Sequence, residues 1–151
     1  MSAGTPRTRI VVGVDGSKGS GRALDYAADV AERIGAEVVA VYGLGPLAEL
    51  AMGIPPSRPT TWKRDLQDEI HDVWCRPLAD RGIKFHARLV ESDPVGALID
   101  TADKEQALMI VVGANSRGEL AHRVLGGVTY RLAHRAHHPV VIVPPTRDGK
   151  P

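Results

Sequence analysis

Residues suited to ligand chemistry gather at the ends of short apolar runs. Asp15 follows one such run and opens the turn Asp15-Gly16-Ser17. Another run leads into Val112-Gly113-Ala114-Asn115-Ser116-Arg117-Gly118, and past a helical turn comes Leu125-Gly126-Gly127-Val128-Thr129. Glycines allow close backbone approach, and exposed N–H groups beside a helix start direct partial positive charge at an anion without any side chain. A phosphate is the natural guest. A carboxylate at Asp15, facing the same crevice, could accept hydrogen bonds from a ribose or hold hydrated Mg2+, which often takes only one or two carboxylates besides phosphate oxygens. Plainer readings stay open: Asp15 could cap its own turn and the following helix, and Gly126-Gly127 could serve close packing of helix on sheet.

Other reactive types carry less. His134, His137 and His138 end a helical stretch, where cations complement the dipole, so a solvated role is expected and no metal site is assigned. Cys75 beside Trp74 lies on an apolar stripe and is expected to be a packed thiol. The chain has neither G-x-x-x-x-G-K-[ST] nor G-x-G-x-x-G after its first apolar run, and Gly16, Gly19 and Gly21 have the wrong spacing for the latter. P-loop hydrolysis and Rossmann dinucleotide binding thereby lose their usual warrants. Slow ATP hydrolysis would have only Asp15 as a base, and no catalytic residue is assigned.

Composition narrows the partners. With 151 residues, 43% hydrophobic and 25% charged, the expectation is one globular domain. Nineteen basic against 18 acidic residues leave a formal charge of +1, too weak a field to imply nucleic acid or an anionic membrane. The one cysteine excludes an internal disulfide and a Cys-rich zinc site. The first ten residues have no apolar signal core, and no window approaches the roughly 18 apolar residues of a spanning helix. A cytoplasmic location is expected.

Elements must hold these residues in place. Apolar runs at 10–14, 38–42, 108–112 and 140–143 are rich in β-branched residues and read as strands buried on both faces. Residues 83–90 instead alternate Ile83, Phe85, Ala87 and Leu89 with Lys84, His86 and Arg88, which predicts a sheet edge with one wet face. Helices are predicted at 20–34 and 62–80, the second kinked or ended early by Pro77. A third starts at Asp93-Pro94, and a fourth covers about 120–136 before Pro139 forces the exit. The 43–61 stretch, with Pro46, Pro55, Pro56 and Pro59, is long for a connection and reads as a loose excursion or a lid. Helices alternating with strands demand parallel pairing through right-handed crossovers. Ligands then sit beyond the strand C-termini where the order reverses, after the first and fourth strands.

At Val11-Val12-Gly13-Val14-Asp15-Gly16-Ser17, at Val41 and across 111–143, the sequence resembles the universal stress protein family, over nearly all of 9–143. Members similar to its ATP-binding branch carry G-x2-G-x9-G-[ST], whose glycines and hydroxyl line the phosphate and ribose site. The corresponding residues are Gly113, Ser116, Gly126 and Gly127, so two of the four positions depart. If the second position needs left-handed backbone, Ser116 costs about 1–2 kcal/mol. Losing the hydroxyl at Gly127 costs on the order of 0.5–1.5 kcal/mol, and together the two would weaken binding by about 30- to 150-fold. The resemblance implies Val14 and Val41 near an adenine, Arg117 on a phosphate, Val128 and Thr129 beside the second glycine turn, and a homodimer through the last strand, Val140, Val141, Ile142 and Val143.

The expected architecture is a doubly wound α/β fold, a five-stranded parallel sheet in the order 3-2-1-4-5 with helices on both faces. Residues 9–144 form the domain, 1–8 a frayed start and 145–151 a tail. The expected function is binding of an adenine nucleotide, ATP with Mg2+, for stress signalling. The alternative is a dimeric interaction module of the same fold that binds no nucleotide.

Overall fold

The computed structural model describes residues 7–51, 53, 60–114 and 127–146. The elements run β1 (Arg9–Gly13), α1 (Lys18–Ile34), β2 (Glu37–Gly43), α2 (Pro46–Ala51), α3 (Trp62–Glu69), a π-helical turn (Ile70–Trp74), α4 (Arg76–Asp80), β3 (Phe85–Val90), α5 (Pro94–Glu105), β4 (Met109–Gly113), α6 (Gly127–Arg135) and β5 (Val140–Val143). The strands form one parallel sheet ordered β3-β2-β1-β4-β5. This is the expected topology, with β3 at one edge and the order reversing between β1 and β4.

Local chemistry sets the helix ends. Ser17 caps α1, its Oγ accepting the Ser20 N–H at 3.2 Å. At the other end Gly35, at φ 69°, turns the chain so that its own N–H and that of Ala36 return to the Ala31 carbonyl. Asp93 caps α5 through the Gly96 N–H at 3.0 Å, Pro94 opens the first turn, and Gln106 at φ 49° ends it. Gln106 is the one non-glycine residue with positive φ among those described.

Burial divides the sheet into two cores. On one face α1, α3, the π-turn and α4 cover Ile10, Val12, Val38, Ala40 and Tyr42. On the other, α5 and α6 cover Val11, Val39, Val41, Ile110 and Val112. Ile10, Val11 and Val12 keep 0% of their surface, each burial worth about 1.5–3 kcal/mol. Adjacent strand residues serve opposite cores, which is why these runs read as continuously apolar.

The 62–80 stretch departs from a single kinked helix. Pro77 has no N–H and its ring would clash with the Val73 carbonyl in a continuing α-helix. The chain widens before it: the Cys75 N–H donates to Ile70 O at 3.0 Å, and α4 restarts with Pro77 in its first turn. The edge strand starts at Phe85 rather than 83, because the Ile83 N–H is taken by Leu78 O as Gly82, at φ 66°, ends α4. Within the 43–61 connection, residues 46–51 form α2. The part of the fourth predicted helix at 120–126 lies outside the described residues; 127–135 is helical as expected.

Beneath the sheet, at the strand N-termini, Glu37 is buried to 4% and surrounded by Lys84 at 3.2 Å, Arg7 at 3.6 Å and Arg9 at 3.7 Å. Arg9 continues to Glu105 at 3.0 Å, and Glu105 to Arg88 at 2.8 Å. Among the described residues no helix is long and apolar enough to cross a membrane.

Candidate functional site

The topology reverses between β1 and β4, with α1 on one face of the sheet and α5 and α6 on the other, which makes the ends of these two strands the switch point where doubly wound sheets place their ligand crevice. Val14 leaves β1 by donating its N–H to Val41 O at 2.9 Å, which pins the two expected adenine neighbours side by side. Their side chains keep only 5% and 1% of their surface, Val41 being packed into the α5 core.

The Asp15 turn is tightly tied. Asp15 Oδ1 accepts the Ser17 N–H at 2.9 Å, the Asp15 N–H points to Ser20 Oγ at 3.3 Å, and the Ser20 hydroxyl donates to Ser17 O at 3.1 Å. The capping foreseen for Asp15 is present for its own turn, while the cap of α1 is Ser17. The turn fixes a half-buried carboxylate at the mouth of α1, where the helix dipole favours negative charge.

Three glycines near the ends of β1, β2 and β4 prove to be packing residues. A Cβ at Gly113 would fall inside contact distance of the Gly19 carbonyl, its carbon being 2.5 Å away, so β4 meets the first turn of α1 backbone to backbone. At Gly43 a Cβ would stand 2.6 Å from Pro94 Cα, where the end of β2 meets the start of α5. At Gly16, φ 80°, it would stand 2.9 Å from the Trp74 indole. Trp74 in turn meets Tyr42 edge to face, with ring centroids 5.3 Å apart. Sequence reading placed Trp74 on an apolar stripe and Tyr42 at the end of the second strand without bringing the two together. Their meeting under the Asp15 turn depends on the widened π-turn, which periodicity does not announce.

Across the crevice, α6 begins at Gly127, where a Cβ meets no described atom within 4 Å. The close packing considered for Gly127 is therefore not what its described surroundings demand. Val128 packs on the α5 core, and Thr129, in the first turn, is buried to 4%. Ser116, Arg117 and Gly126 lie outside the described residues. Two depressions of about 410 and 400 Å3 lie elsewhere, one along the π-turn and α4 at His71, Asp72 and Arg76, the other under the sheet at Arg7, Arg9 and Glu105.

The remaining reactive groups serve structure. Cys75 is fully buried, which pushes its thiol up to about 12. His134 lies against the Tyr130 carbonyl at 3.0 Å, as a residue near a helix C-terminus should. His138 departs from the solvated expectation, being half-buried, while His137 stays exposed as expected. Both turn to Asp103 on α5, at 3.3 and 3.0 Å, and His138 also meets Ala107 O at 2.9 Å. No group of three or more metal-ligating side chains forms among the described residues.

Sheet order, with its reversal between β1 and β4, and helix cover on both faces define a doubly wound α/β domain. The universal stress protein family model matches residues 6–144, and the chain belongs to that family. It is 33% identical over 151 aligned residues to a universal stress protein of Mycolicibacterium smegmatis, an alignment covering 96% of this chain and 48% of that one, about half its length. A universal stress protein of Methanocaldococcus jannaschii is 31% identical, with 89% of this chain and 81% of that one covered. A solved universal stress protein in complex with cAMP is 29% identical, with a TM-score of 0.65 and 94% of this chain and all of the other covered.

Proposed function

We propose that the domain binds an adenine nucleotide, ATP with Mg2+, in the crevice after β1 and β4, and acts as a cytoplasmic dimer in stress signalling. The observation that carries this reading is the 29% identical universal stress protein with cAMP bound, which aligns with 94% of this chain and so includes both sides of the crevice. Asp15 on its capped turn would take the ribose or a hydrated metal ion. Gly113, Ser116, Arg117, Gly126 and Gly127 would surround the phosphates, with Val128 and Thr129 in the first turn of α6 beside them. Val14 and Val41 would meet the base through their main chain, since their side chains are almost wholly buried. The residues at hand suit Mg2+ as a one-carboxylate, phosphate-bridged ion rather than a caged one.

Dimerisation is proposed through β5. Val140 and Ile142 lean on one core and Val141 and Val143 on the other, yet all four keep intermediate exposure, and only β4 pairs with the strand among the described residues. A second copy would cover what remains.

Equilibrium dialysis with labelled ATP and Mg2+, and in parallel cAMP, tests the nucleotide reading; no saturable uptake at millimolar ligand overturns it. A second reading, a dimeric interaction module without nucleotide, is favoured by Gly127 standing where the family motif has a hydroxyl, and by helix packing being itself enough to demand glycine at 113. Nucleotide released on denaturing freshly purified protein would exclude it.

A further inference from the structure

An edge strand presents a row of N–H and C=O groups that another strand can take. In a parallel ladder, one residue of an incoming strand accepts the N–H of one residue and donates to the C=O of the residue two positions earlier. On β3 the even-numbered carbonyls face inward, since Lys84 O accepts the Val38 N–H at 3.0 Å and Val90 O accepts the Leu44 N–H at 2.8 Å. Backbone groups of Ala87 and Leu89 therefore face outward.

Gln67 on α3 takes both. Its Nε2 donates to Ala87 O at 2.7 Å, and its Oε1 accepts the Leu89 N–H at 2.9 Å. A planar carboxamide with one donor and one acceptor reproduces the bonding of a single residue of a sixth parallel strand. The neighbouring Lys63–Glu91 ion pair ties α3 to the end of the same strand. Leu66 and Ile70, flanking Gln67 along the helix, are buried in the core and hold the amide in place.

We propose that Gln67 closes the β3 edge against a second copy of this chain, confining strand-to-strand assembly to the β5 edge. Closure at β3 stands independently of nucleotide binding; the use of β5 rests on the dimer proposed above. With one edge open, β5 to β5 pairing ends at a dimer. With both open, pairing at β3 would link dimers into longer assemblies.

The test compares wild type with Gln67→Leu by sedimentation velocity from micromolar to near-millimolar protein, together with amide exchange at Leu89. Gln67→Leu is expected to show species larger than the wild-type mass that grow with concentration. At the dilute end its Leu89 amide should exchange about ten-fold faster. A wild-type mass distribution for Gln67→Leu across the range, or an unchanged Leu89 amide, overturns the proposal. A monomeric wild type whose Gln67→Leu form still associates supports closure at β3 while removing the β5 dimer. Should Gln67→Leu not melt cooperatively, Gln67→Ser, which leaves Leu66 and Ile70 untouched, carries the same comparison.

Discussion

Replacing Gly113 by alanine should cost stability through α1, whether or not a ligand is bound. The new Cβ would stand 2.5 Å from the Gly19 carbonyl carbon and 3.1 Å from Gly19 Cα. Carbon atoms in good contact lie about 3.5–4.0 Å apart, so strand and helix would have to separate by roughly 1 Å. Both parties are backbone, and neither can rotate away as a side chain tip can. Overpacking typically costs about 1–3 kcal/mol, and this rigid case belongs at about 3 kcal/mol. At about 2–4 °C per kcal/mol for a domain of this size, the melting temperature should fall by roughly 6–12 °C. Gly127→Ala is the control. Its Cβ meets no described atom within 4 Å, so it should stay within about 0.5 kcal/mol of wild type. Scanning calorimetry of both variants without nucleotide reads the result directly. A Gly113→Ala protein melting with wild type, or a Gly127→Ala protein as damaged as Gly113→Ala, would refute the packing account.

Gly16→Ala should lose about 2–3 kcal/mol, since it combines a left-handed φ of 80° with a Cβ 2.9 Å from Trp74. In a Trp62→Phe background the emission of Trp74 should shift as its ring is displaced, and unchanged emission would count against the contact. For Glu37, burial pushes the carboxyl up, but the Lys84 hydrogen bond and the charges of Lys84, Arg7 and Arg9 pull further and leave it below the usual carboxylate range. A carboxylate depressed in the folded state stabilises above its unfolded pKa, and that contribution is lost as pH falls through the folded value. The gap in melting temperature between wild type and Glu37→Gln should therefore be widest near about pH 7 and narrow toward about pH 3; a constant gap would contradict the ion cluster.

The Asp15 turn was legible because its determinants lie within six residues: a carboxylate that accepts from Ser17, a Ser17 cap and a glycine at positive φ. The start of α5 at Asp93-Pro94 was legible for the same reason. Gly113 was found by spacing, yet for a motif reason, whereas its packing demand comes from Gly19, more than ninety residues earlier in the chain. Trp74 under Gly16 stayed hidden because the π-turn ahead of Pro77 rotates the stripe on which Trp74 had been placed.

The number of strands and their parallel pairing follow from patterns a few residues long, β-branched runs, helical stripes, caps and glycine stops, each acting on its own neighbourhood, whereas their order in the sheet is set by the packing of whole elements. Edge against centre was equally local for β3, whose alternation of apolar and charged residues admits only one wet face. The buried charge of Glu37 among three cations, the Asp103 contacts of His137 and His138, and the Gln67 amide standing in for a strand were decided only by folding. Each joins groups on different elements, and a side chain able to make either a solvent contact or a distant hydrogen bond carries no local mark of which it will make. Only packing of the elements against one another removes the water and sets the choice.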